Sequence, residues 1–181
     1  TFKGINSIGS GLPTTGSPSV TRLNGLSDTV VDTPNMFFMA DLSAAVAGLD
    51  TLYLADENGT TGGLTKFSLV SGSWVANGQV GVGIDNYRGL SGSALGTKVT
   101  LYATRDATQL ISVIDSSGHN ATINATPTLL ATTATNTAFR GVALAPQPIL
   151  PDLLVAGISA PSNAATNTTF SYSVTLGNNG T

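Results

Sequence analysis

The chain has 181 residues, 41% of them hydrophobic but only 9% charged, against about 25% charged in an ordinary soluble domain. Net charge is −3 with a pI of about 4.7, and the seven Lys and Arg are scattered singly, which argues against a nucleic-acid partner because no basic stripe follows a phosphate backbone. With no Cys and a single His there is no disulfide frame and no multi-histidine metal site, and no apolar run approaches the roughly 18–20 residues of a membrane span.

Thr1-Phe2-Lys3-Gly4-Ile5 has neither an initiator Met nor a signal peptide, so the first residue is expected to be a processed, cloned or first-visible one. Strands are predicted near 2–9 and 19–24, separated by a turn-rich passage with Gly11, Pro13, Gly16 and Pro18. Met36-Phe37-Phe38-Met39-Ala40 is continuously apolar and suits an inner strand buried on both faces. Further strands follow near 51–56, 64–70 and 73–80, with Ser71-Gly72 as a tight hairpin turn. Tyr87 to Ser93 opens a second unit, with strands near 99–104, 109–115 and 127–132, and Phe139 to Ala145 begins a third. Pro146, Pro148 and Pro151 then make a stiff linker, beyond which 152–159 and 170–176 alternate as two strands. Two strands alone are marginally stable, so the edges of this tail should be completed by another chain or by missing sequence, and finding 152–176 as an isolated, unpaired hairpin would count against that.

The stretch 51–148 reads as one unit twice. Thr51-Leu52-Tyr53 returns as Thr100-Leu101-Tyr102, Leu64 as Leu110, and Tyr87-Arg88-Gly89-Leu90 as Phe139-Arg140-Gly141-Val142, at offsets of about 49, 46 and 52. A drifting period near fifty residues, about four short strands each, is the size of a β-propeller blade. The predicted fold class is therefore all-β: a partial propeller of about two to three four-stranded blades over 1–145, a proline-rich linker over 146–151, and the incomplete start of an immunoglobulin-like β-sandwich over 152–181. A closed propeller needs four to eight blades, so the chain reads as a piece of a longer one or as a subunit that shares sheets with copies of itself.

Phe37-Phe38-Met39-Ala40-Asp41-Leu42, Thr51-Leu52-Tyr53-Leu54-Ala55-Asp56, Gly89-Leu90-Ser91-Gly92 and Ala138-Phe139-Arg140-Gly141-Val142-Ala143 resemble the propeller-like repeat region of large secreted bacterial surface proteins. Pro151-Asp152-Leu153 and Tyr172-Ser173-Val174-Thr175, running into Asn178-Asn179-Gly180, resemble the opening of an immunoglobulin-like repeat common in such proteins. The resemblance implies a secreted or cell-surface location. It carries over no catalytic activity.

Arg88 and Arg140 occupy equivalent places between an aromatic residue and a Gly, where repeated guanidinium groups would either line a channel and hold an anionic ligand or satisfy carbonyls of neighbouring blades. Asp56-Glu57-Asn58 faintly resembles a calcium loop, without its later ligands, and calcium is the metal such acidic turns would take. His119 lies in a turn that does not place a Ser/His/Asp triad in register. Trp74, Tyr53, Phe67, Tyr87, Tyr102 and Phe139 would stack sugars or, at these strand positions, fill the core. Five Asn-x-Thr matches, at Asn58, Asn120, Asn124, Asn167 and Asn179, arise readily in a chain this rich in Asn and Thr.

The expected function is a non-catalytic structural or adhesive module of an exported surface or matrix protein, without a cofactor, whose partners are copies of itself or the rest of a longer chain. Two alternatives belong to other classes: a propeller that binds a ligand or cell-surface glycans, and part of a propeller hydrolase acting on sugars or lactones.

Overall fold

A computed structural model describes residues 4–9, 16–57, 62–81, 85–146, 153–163 and 165–178. The protein is all-β, and every regular element of the described residues is a strand. The chain divides into two compact units, Thr1–Leu144 and Ala145–Thr181. In the first, β1 (Asn6–Ile8) and β2 (Val20–Arg22) form a hairpin. A four-stranded antiparallel meander follows, of β3 (Pro34–Ala40), β4 (Thr51–Asp56), β5 (Gly63–Val70) and β6 (Ser73–Val80). A second meander repeats the order with β7 (Tyr87–Leu95), β8 (Lys98–Arg105), β9 (Gln109–Asp115) and β10 (Thr128–Thr132). None of these sheets closes on itself among the described residues.

Local chemistry sets the register. Ser71 and Gly72 have φ of 50° and 81°, the left-handed pair that a two-residue hairpin between right-twisted strands requires, and they lock Val70 opposite Ser73. The ten-residue connection between β3 and β4 is tied down by Asp50, whose carboxylate accepts the N–H of Leu42 at 3.0 Å and of Ser43 at 2.7 Å. Within this connection the Val46 N–H bonds to Ser43 O at 3.0 Å and closes a turn.

Every residue of β4 is buried, because the first meander is covered on both faces. Leu52 and Leu54 point one way, into a cluster with Phe67, Trp74, Ile5, Leu26 and Val31. Tyr53 and Ala55 point the other way and pack with Leu64, Leu101, Ala103, Ile111 and Val113. Burial of each Leu, Ile or Phe of these two layers contributes about 1.5–3 kcal/mol.

The sequence repeat fixes the direction of stacking. Leu101 is the counterpart of Leu52, and both look back: Leu52 toward the β1–β2 hairpin, Leu101 toward the first meander. Tyr53 looks forward onto the second meander. Its counterpart Tyr102 lies on the opposite face of β8 from Leu101, only half-buried, on the side where Ile114 is 51% exposed. Each sheet thus uses the same face to pack on its predecessor.

Two expectations need correction. Residues 36–40 are not buried on both faces: β3 is an edge strand paired only with β4, and Met36 and Phe37 are 46% and 51% exposed. The two-stranded hairpin before it is too narrow to cover it. Residues 139–145 form no strand, since they make no ladder hydrogen bonds with a neighbour.

The second unit contains β11 (Leu153–Ser159) and β12 (Ser173–Asn178), an antiparallel pair with a register shift between Val155 and Gly157. Val155, Ile158, Val174 and Leu176 are exposed. Among the described residues it is a two-stranded sheet in which β11 and β12 pair only with each other.

Candidate functional site

The buried polar chemistry of the first unit gathers at the seam between the two meanders. Lys66 follows Leu64 on the same face of β5 and is fully buried. Its ammonium reaches Asp115 Oδ2 at 2.9 Å, donates to Ser117 Oγ at 2.6 Å and to Gly118 O at 2.5 Å. The Tyr53 hydroxyl donates to the same Asp115 oxygen at 2.6 Å, and Ser117 donates to Asp115 Oδ1 through both its N–H and its hydroxyl, at 2.9 and 2.6 Å. Burial by itself pushes the Asp115 carboxyl up, but the hydrogen bonds from Ser117, Tyr53 and Lys66 together hold it below the ordinary carboxylate value. Burial first, then the bond to Asp115, raises the Tyr53 phenol far above its usual range. A saturated network of this kind holds two sheets in register.

The sequence pattern singled out Tyr53 as an aromatic of the core or of a sugar site, and did not join it to Lys66, Asp115 and Ser117. The network's one further signal is Lys66 at a position where strand alternation, set by Leu64, demands a buried side chain.

The predicted residues sit nearby and are also engaged. Arg88 forms an ion pair with Glu57, with its Nε 3.2 Å from Glu57 Oε2, joining β7 to the end of β4. Asn35 donates to the same oxygen at 3.1 Å. The Arg88 hydrogen bond, helped by Asn35 and by the charges of Arg88 and Arg140, outweighs the effect of burial and holds the Glu57 carboxyl below its ordinary value. Arg140 is exposed. Arg88 thus has a carboxylate partner from the preceding sheet, and Arg140 acts on Glu57 through its charge. Gly89 next to Arg88 permits close approach: a Cβ there would stand 2.8 Å from Gly141 Cα and 3.0 Å from Thr104 Oγ1.

Asp56 turns its carboxylate to the N–H groups of Asp32 and Thr33, at 3.2 and 3.3 Å. Glu57 turns to Arg88 and Asn35, so these two acids face different partners, and Asn58 lies outside the described residues. Among the described residues no group of three or more acidic, His or Cys side chains could hold a metal ion. His119 is half-buried, its Nε2 3.1 Å from Leu69 O, where the β9–β10 loop folds back onto β5. Tyr53, Phe67, Trp74 and Tyr87 are buried in the two cores, while Tyr102 and Phe139 are half-buried. Among the described residues no helix is long and apolar enough to cross a membrane.

No family model, no curated protein and no solved structure matches this chain.

Proposed function

We propose that this chain is a structural module of an exported bacterial surface or matrix protein, in which residues 1–145 are propeller-type blades and 152–181 opens an immunoglobulin-like repeat. The single observation that carries this reading is the unidirectional stacking: Leu52 and Leu101 face back, Tyr53 and Tyr102 face forward, and the forward face of the last sheet stays partly open. A fold that repeats one packing face can be extended by further sheets, from the same chain or another. Its charged groups serve cohesion. Lys66, Asp115, Asp50 and Asp56 hold sheets and loops in place, and Arg88 and Glu57 tie one meander to the next. A surface with few charges keeps copies apart only weakly, which suits a matrix or layer.

Protease shaving of intact cells that carry the natural protein, followed by peptide mapping, tests this. Peptides from 16–144 released from whole cells support it; recovery of the chain only from lysed cytosol refutes it.

A further inference from the structure

The forward faces of the two meanders correspond position by position, but their surfaces differ. On the first, Tyr53 stands between its cross-strand partners Phe38 and Lys66, and Thr51 between Ala40 and Ser68. On the second, Tyr102 stands between Ser91 and Ser112, and Thr100 between Ser93 and Ile114. Where the covered sheet has Phe38, Ala40 and Lys66, the open one therefore has Ser91, Ser93 and Ser112.

The exchange uncovers an aromatic ring. Tyr53 is walled in: its ring centroid lies 6.5 Å from that of Phe38 and 6.0 Å from the Lys66 ammonium, and the residue is fully buried. Tyr102 is flanked on both sides by serines, whose single hydroxymethyl groups are too short to cover a phenol ring. It is half-buried, with Ser93 and Ile114 exposed beside it. At one end the face is closed where Gly141 and Thr104 meet Gly89. None of Ser91, Ser93, Thr100, Tyr102, Ser112 and Ile114 carries a charge.

A sheet stacked here as the second meander stacks on the first would bury hydroxyls without partners and would find no lysine for a lock like Lys66–Asp115. A neutral sugar fits the same surface. The apolar C–H face of a pyranose packs on the exposed side of a tyrosine ring, and serine and threonine hydroxyls both donate to and accept from the sugar hydroxyls. Neighbouring strands are about 4.8 Å apart. The row Ser91–Tyr102–Ser112 thus offers a hydroxyl, a ring and a hydroxyl at steps close to the length of one sugar residue. A charged polymer would find no counter-ion among these side chains.

We infer that the forward face of the second meander binds a neutral polysaccharide, laid across β7, β8 and β9 with one pyranose on the Tyr102 ring. Glycan binding rests on the structural-module reading above and gives that module a matrix partner.

Calorimetric titration of the purified 181-residue chain with hexasaccharides of glucose, xylose, mannose and N-acetylglucosamine, up to about 5 mM, would register even a millimolar affinity. Expected is uptake of at least one of them, with the acidic oligogalacturonate bound at least about tenfold more weakly. Tyr102→Ala should weaken binding about tenfold, and Tyr102→Phe, which keeps the ring, less than about threefold. Ser91→Phe rebuilds the wall beside Tyr53 and should abolish binding while Tyr102 stays in place. Circular dichroism and the urea midpoint check that each variant is folded. No uptake of any neutral hexasaccharide, equal binding of oligogalacturonate, or binding indifferent to both Tyr102→Ala and Ser91→Phe would each overturn glycan binding. Self-association of the free chain that Ser91→Phe abolishes, read by light scattering, would overturn it too, by seating a second copy on the face. A chain shaved from the cell surface that binds no glycan sinks the site and leaves the module; a glycan-binding chain confined to cytosol does the reverse.

Discussion

Replacing Lys66 with Met is the sharpest test of how the two meanders are held together. Met keeps the length and most of the volume of the buried stem but removes the ammonium that Asp115, Ser117 and Gly118 share. Asp115 is 2% exposed, so its charge stays behind in a dry seam, supported only by Tyr53 and Ser117. Breaking one partner of a buried pair costs about 3–5 kcal/mol, a large part of the roughly 5–15 kcal/mol that holds a domain folded. Urea unfolding followed by Trp74 fluorescence should show an unfolding free energy lowered by that amount, read as a lower midpoint at unchanged slope. The double variant Lys66→Met/Asp115→Leu removes both charges and should be more stable than Lys66→Met alone, since no uncompensated carboxylate remains. A loss below about 1 kcal/mol for Lys66→Met would refute the reasoning, because that is the magnitude of a solvent-exposed pair.

Two tyrosines of similar burial should behave differently. Tyr53→Phe deletes a 2.6 Å hydrogen bond to a carboxylate and should cost about 1.5–3 kcal/mol. The Tyr87 hydroxyl is buried and makes no well-formed hydrogen bond among the described residues, with the Arg105 side chain beside it as its nearest donor, so Tyr87→Phe should be neutral within about 1 kcal/mol in the same urea titration. Gly89→Ala places a methyl 2.8 Å from Gly141 Cα; it should cost about 1–3 kcal/mol or push residues 138–144 away, seen as faster amide exchange at Phe139. Stability should also depend on acid. Asp115 and Glu57 have folded-state pKa values below their ordinary 3.8 and 4.5, so the unfolded chain binds more protons as pH falls through that range. The contribution of both groups is complete above about pH 5 and is lost progressively below about pH 4; urea midpoints that rise on acidification to pH 3 would contradict it.

Strand positions were legible because they depend on local alternation and turn chemistry. Thr51 to Asp56 and Gln109 to Asp115 occupy the expected spans, and Ser71-Gly72 makes the expected turn. The order of strands within each meander followed from the repeat. What a strand meets across its face is a tertiary matter, and there the reading failed. Met36 to Ala40 is apolar enough for a doubly covered strand, yet its neighbour sheet is only a hairpin. Phe139 to Ala145 has the composition of a first strand but no second strand to pair with. Arg88 is answered by Glu57, a partner from the preceding sheet that no spacing rule identifies, while Arg140 is exposed. The Lys66–Asp115 pair spans 49 positions in sequence, so only the stacking of sheets reveals it.

The two seams of the first unit differ in kind. The one between the meanders is pinned by bonds to the buried Lys66 and Asp115, whereas the one under the β1–β2 hairpin rests on apolar contacts of Ile5, Leu26 and Val31, with hydrogen bonds only from the segment after β2, where Asn24 meets Trp74 and Ser73 and Asp56 meets Asp32 and Thr33. Apolar contacts tolerate sliding, and their strength fades on cooling, while the charged lock resists shear until it breaks at once. Pulled from its ends, the molecule should therefore shed its first hairpin at low force, as a compliant clutch, and hold the paired meanders as the stiff element behind it.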